Sequence, residues 1–246
     1  MVRTLLVRGM LAGILAGLIA SVFAWLFGEP RIDQAIAFED HLRQLAGAAP
    51  EPELVSRAVQ STIGLLTAAV VYGSALGGIF ALVFAYAHGR IGRLSPRATA
   101  AILAAAGFVT LILVPQLKYP ANPPAVGDAE TIGARTALYF IMIAFSIAAA
   151  VASLSTGRSL AARLGGWNAA LVGVACYGVA MAIVMLVLRP VDEVPTGFSA
   201  DLLWQFRLAS LAVEAVLWTT LGLTFGILAE RPLASRAQRM VFPRAG

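Results

Sequence analysis

One carboxylate, Glu214, stands among Leu211, Val213, Val216 and Leu217. An ionised acid inside an apolar helical run costs roughly 2.5–3.5 kcal/mol on insertion scales, so it should face a polar interior or a water-filled cavity. Such a group can carry a proton or hold a cation. Glu214 is therefore a candidate waypoint for an ion crossing a membrane. A second candidate is the run Glu39, Asp40 and His41. It places two oxygen donors beside one imidazole, a set that suits Co, Ni or Zn. The chain has only two histidines, His41 and His88, so one chain cannot supply the several imidazoles such a metal prefers. A third group consists of acids between the apolar runs: Asp128, Glu130, Asp192, Glu193 and Asp201. Arg57, Arg135 and Arg207 lie near them in sequence and would complete a charged rim.

Other residue patterns exclude chemistry. The only cysteine, Cys176, lies in an apolar run, which rules out an intrachain disulfide and a thiolate metal cage. Met181 and Met185 share a helix face with Tyr177 and read as core packing. No phosphate-binding Gly-rich loop, His-Glu-x-x-His zinc motif or Gly-x-Ser-x-Gly elbow occurs. No catalytic constellation emerges, and the chain is not expected to be an enzyme.

The elements that must position these groups follow from composition. Of 246 residues, 59% are hydrophobic and 13% are charged. Soluble domains carry about 45–50% apolar and about 25% charged residues. A soluble enzyme, a disordered chain and a disulfide scaffold are excluded. The net charge of +5 points to membrane topology and not to a nucleic-acid partner. Six apolar stretches, about 9–27, 61–87, 99–116, 136–154, 167–188 and 208–228, each approach the roughly 20 residues of a transmembrane helix. The expected fold is all-α: one polytopic membrane domain, 1–246, of six helices arranged as three hairpins. The first stretch follows Arg3 and Arg8 and is longer than a signal core, with no small-residue cleavage site after it. It reads as a retained span.

Charge alternates from loop to loop. Arg3, Arg8, Arg90, Arg93, Arg97, Arg158 and Arg163 fall on one side, with Arg231, Arg236, Arg239 and Arg244 in the tail. The only acid on that side is Glu230. The acids Glu29, Asp33, Glu39, Asp40, Glu51 and Glu53 share the other side with the rim acids. The positive-inside rule then puts both termini in the cytoplasm. Each outer loop begins with proline near the end of a span: Pro30, Pro120 and Pro190. Each closes with an acid and then an arginine: Glu53 and Arg57, Glu130 and Arg135, Asp201 and Arg207. These acids either complement helix dipoles or gather three acid–arginine pairs at one external mouth. The segment Lys118–Asp128 is stiffened by prolines and reads as a loop folded over that mouth. Gly9, Gly13 and Gly17 recur at four-residue spacing, as do Gly73 and Gly77, and Gly222 and Gly226. Small residues at that spacing let helices approach closely.

The chain resembles the CbtA family, described as a probable cobalt transporter subunit. The resemblance rests on MVRTLLVRGMLAGILAGLIA followed by GEPRIDQAIAFED, and on KYPANPPAVGD, ETIGARTALYF and VPTGFSADLLWQFRLAS. It covers essentially the whole chain. It implies an integral membrane subunit linked to cobalt uptake for cobalamin synthesis. It also implies a short single-span partner with a histidine-bearing end, the CbtB type. Many relatives look histidine-rich after the first span, whereas residues 28–60 here keep only His41.

The expected function is passage of a divalent cation, Co²⁺ first among them, inward through a multi-pass protein of the bacterial cytoplasmic membrane. The ion would be cargo, with no tightly bound cofactor. The partners would be the lipid bilayer, the single-span subunit and further copies of the chain. Two other readings stay open on the residues alone: a scaffold or regulatory subunit without a transport path, and an enzyme acting on a lipid or quinone.

Overall fold

The computed structural model describes residues 2–47, 54–92 and 94–241, with side chains described as far as residue 230. Every regular element among them is helical: α1 (Val2–Phe27), α2 (Glu29–Leu45), α3 (Arg57–Ala87), α4 (Pro96–Lys118), α5 (Ile132–Val187) and α6 (Ala200–Val241). In lipid a spanning backbone must satisfy its own polar groups, and helices do so within one segment. Five helices are long and apolar enough to cross a membrane: α1, α3, α4, α5 and the Ala200–Glu230 part of α6. Their apolar residues point outward as well as inward. Leu186 is 85% exposed and Val187 77%, which in a spanning helix is a lipid-facing surface.

The described residues group into two compact units. The first contains the residues up to Phe108 and those from Leu208 onward; the second is Val109–Arg207.

In the first unit α1 and α3 run antiparallel with their backbones in contact. A Cβ on Gly9 would strike the Gly77 carbonyl, one on Gly13 the Gly73 carbonyl, and one on Gly17 the Ala69 carbonyl. The glycine spacing seen in the sequence is thus an internal helix seam. Gly222 and Gly226 do the same for α6, facing Ala104 and the Arg97–Ala100 turn of α4. Side chains fill the space the glycines do not. Phe80 and Phe84 of α3 meet Phe225 of α6 edge to face, with ring centres 5.4 and 5.0 Å apart. Two contacts at one end close the unit: Arg8 donates to the Leu228 carbonyl, and Arg97 pairs with Glu230 at 2.6 Å. α4 starts cleanly because Ser95 accepts from the Ala98 N–H at 3.2 Å and Pro96 takes a first-turn position.

Residues 28–60 are not all loop. α2 follows α1 almost without interruption, since Gly28 itself has helical angles and its N–H bonds the Ala24 carbonyl. Pro30 sits in the first turn, where its missing N–H costs nothing. Pro30, which reads as a loop signal in sequence, is here a helix starter.

In the second unit α5 doubles back on itself. Gly165 takes φ 76° and ψ 159°, which breaks the helix there. Ser153 and Gly157 before the break face Gly173 and Ala169 after it, so the two arms are antiparallel. The reversal lies eleven residues beyond the expected span end at Leu154, about 16 Å of extra helix. Nothing breaks the helix earlier. Ser155 and Thr156 return their hydroxyls to the Val151 and Ala152 carbonyls at 2.9 and 3.0 Å and continue it. Met142, Met181 and Tyr119 form the core of this unit, as packing residues.

The α1–α3 seam generates a stability prediction. Gly13→Leu must separate two backbones and should cost at least about 1–3 kcal/mol. The expected result is a clear fall in Tm in detergent. Gly178→Ala, where nothing lies within 4 Å, should leave Tm unchanged or slightly raised.

Candidate functional site

Glu214 lies close to the middle of the Ala200–Glu230 segment, about 21 Å along α6 from Ala200. α6 begins eight residues before the apolar stretch read from the sequence. One carboxyl oxygen, Oε2, is buried without a hydrogen-bond partner. One turn further along, the indole N–H of Trp218 is also buried and unpartnered. The indole N–H acts on the Glu214 carboxyl without meeting it in a hydrogen bond. Trp218 itself is only 4% exposed. Its ring fits against Gly107 of α4, where a Cβ would overlap it, and meets Phe80 of α3 at 6.5 Å in an edge-on contact. The site therefore offers one carboxyl and one adjacent donor, held deep in an apolar helix.

The segment after α1 is organised by Arg57. Its guanidinium pairs with Glu29 and, at 2.9 Å, with Asp33. Glu29 and Asp33 are four residues apart on α2, so one arginine at the mouth of α3 grips one face of that helix. Glu29 is 8% exposed, which makes this pairing more than a solvent contact. Glu53, the acid nearest Arg57 in sequence, lies outside the described residues. Further along α2, Glu39 pairs with Arg43 at 2.8 Å, while Asp40 and His41 are exposed. Among the described residues no group of three or more His, Cys, Asp or Glu is assembled to hold a metal ion.

In the second unit Glu193 joins the loop after α4 to the loop after α5. Its carboxylate accepts from the Asp128 N–H at 2.9 Å and the Thr131 hydroxyl at 2.8 Å. Arg135 stands 3.3 Å away as an ion-pair partner and donates to the Asp128 carbonyl at 2.9 Å. The Arg135 guanidinium lies flat against Gly127, whose φ of 114° and missing side chain make that approach possible. The Tyr119 hydroxyl donates to the Arg189 carbonyl at 2.7 Å and ties the loops at their bases. Arg207 donates to Asn122 at 2.9 Å and feels the charge of Asp192. Arg135 and Arg207 thus bond to residues other than Glu130 and Asp201, their sequence neighbours. Glu130 and Asp201 are exposed, as is Asp128, whose side chain caps the Glu130 N–H at 2.9 Å. The two N–H and O–H donors, before any charge, hold the Glu193 carboxyl below the ordinary glutamate value of 4.5.

A polar contact that the sequence did not reveal lies inside the second unit. The Ser146 hydroxyl, fully buried, bonds the Thr110 carbonyl at 2.6 Å and the Tyr177 hydroxyl at 2.7 Å. Thr110 belongs to the π-helical stretch Phe108–Leu113. In that register its carbonyl looks to the N–H five residues on, and that residue is Pro115, which has none. A proline five residues after a threonine was the available signal.

A family model described as "Probable cobalt transporter subunit (CbtA)" matches residues 2–230, nearly the whole chain. No curated protein and no solved structure matches.

The Glu193 clamp carries a pH prediction. A carboxyl lowered on folding contributes stability above its unfolded value, and that contribution is lost as pH falls through the lowered folded value. Amides of Gly127 and Asp128 should be protected from hydrogen exchange at neutral pH and lose protection below pH 4.5. In Glu193→Gln the protection factors should be low at neutral pH as well. Unchanged protection in the variant would contradict the clamp.

Proposed function

The chain belongs to the CbtA family, and from that premise we propose that it is the membrane subunit that carries Co²⁺ inward, with Glu214 as the intramembrane waypoint. The coarse statement, a multi-pass membrane subunit of a transport system, follows from the family description and the five apolar helices. That description fits a non-enzyme. The observation that carries the ion path is a buried carboxyl oxygen without a partner at mid-span in α6. A group that expensive to insert calls for a use.

In this reading the protein spans the bacterial cytoplasmic membrane six times, with both termini inside. The two antiparallel arms of α5 count as separate spans, which turns five long helices into six crossings. Acids at the outer ends raise the local cation concentration by their field. Asp128, Glu130, Asp192 and Asp201 act so in the second unit, while Glu193 holds the loops that present them. Arg57, Arg135 and Arg207 fix the geometry of the outer segments and are not ligands. His41, with Glu39 and Asp40, gives a weak capture point on α2 at most, so metal capture falls to the single-span, histidine-bearing partner. Co²⁺ is cargo throughout.

Radiolabelled Co²⁺ uptake in bacteria stripped of their own cobalt importers tests this reading. Uptake should require the chain together with its single-span partner. Glu214→Gln should reduce it at least tenfold at unchanged membrane abundance. A fully active Glu214→Gln would remove the waypoint, and no uptake in any combination would remove the transport reading.

A further inference from the structure

We propose that Trp218 is the positioning residue for Glu214: its indole N–H is the donor that the carboxylate takes when it gives up its proton or cation. The inference deepens the transport reading and rests on it. Three observations carry it. Glu214 and Trp218 are four residues apart on α6, so their side chains emerge on the same face. Each holds a buried polar atom without a partner, Oε2 on one and Nε1 on the other. An acceptor and a donor left unpaired one turn apart are complementary, and joining them would satisfy both.

The third observation is the seat of the indole. On one side Gly107 removes the side chain that would occupy the ring's place, and Phe80 presses on it from α3. The ring also borders an open groove of about 250 Å³ with Ala101, Ala104, Ala105, Ala215 and Thr219, of which Ala101, Ala105 and Thr219 are exposed. The ring is thus packed against Gly107 and Phe80 and also borders open space. In this proposal the ring turns within that seat to bring its N–H onto the carboxylate. A groove of this size lies below the roughly 300–1,000 Å³ of a small-molecule site, which favours room for side-chain movement over a bound cofactor. An indole N–H donates only, so it cannot ligate the ion. It can stabilise the carboxylate the ion or proton leaves behind, and so set how readily Glu214 is reloaded.

The consequence is separable from packing. Trp218→Phe keeps an aromatic ring in the seat and removes the donor. The first readout is modification of Glu214 by a hydrophobic carbodiimide, which attacks protonated carboxyls inside membranes and needs no transport. The purified chain in detergent should label at Glu214 several-fold faster in Trp218→Phe than in the parent, because the ionised form has lost its donor. Glu214→Gln should abolish the label. The second readout is Co²⁺ uptake, where Trp218→Phe should change KM by several-fold with maximal rate changed less. Gly107→Ala, which displaces the ring while keeping the N–H, serves as a second variant with an intermediate labelling rate. Equal labelling in parent and Trp218→Phe would overturn the proposal whatever the uptake shows. Faster labelling with uptake indifferent to Glu214→Gln would keep the pair and overturn the transport role of Glu214.

Discussion

The fold rests on the contact between two backbones. α1 and α3 touch through Gly9, Gly13 and Gly17 on one helix and Gly77, Gly73 and Ala69 on the other. In a bilayer, apolar side chains gain nothing by leaving lipid for each other, so helix association draws on dispersion at close range. Glycine at four-residue spacing provides that range along a whole face. With the seam set, Phe80 and Phe84 project from α3 toward α6, and the aromatic cluster with Phe225 follows. The seat of Trp218 depends on Phe80 and so, indirectly, on the seam.

The second unit is held differently. Its two α5 arms meet through Ser153, Gly157, Ala169 and Gly173, and the loops after α4 and α5 are fastened by polar groups. Glu193 gathers an N–H, a hydroxyl and a guanidinium, and each donor comes from the 128–135 segment. Prolines restrict the chain that the clamp must hold, which reduces the entropy lost on ordering it. Pro115 has a second effect inside the membrane. By withholding an N–H it leaves the Thr110 carbonyl to the Ser146 hydroxyl, and that hydroxyl links α4 to both arms of α5 through Tyr177.

Much of this architecture was legible because its causes are local. Apolar length locates the spans, and glycine spacing locates the seam. The reversal at Gly165 was less legible, because the helix runs ten residues past Leu154 before reaching it. Serine and threonine at 155 and 156 look like loop residues and are helical, because their hydroxyls return to carbonyls one turn back. α2 was hidden by its proline and its charges. Once it is read as a helix, Glu29 and Asp33 fall on one face and Arg57 has an obvious grip. The partners of Arg135 and Arg207 were not legible, since Glu193 and Asn122 are brought there by loop geometry, which no periodicity encodes. Glu214 was legible as a costly group, but its donor was not singled out from the sequence.

The functional account turns on that carboxyl. A lone acid in α6 has little to offer Co²⁺ as a permanent site, since such a metal prefers several ligands with imidazole among them. It suits transient contact, in which charge is met and released within an apolar surround. The most direct test is Co²⁺ entry into proteoliposomes holding the purified chain with its single-span partner, read as quenching of trapped calcein. The account predicts rapid quenching by the parent pair and a rate near that of empty liposomes with Glu214→Gln. Quenching at the parental rate with Glu214→Gln would contradict it.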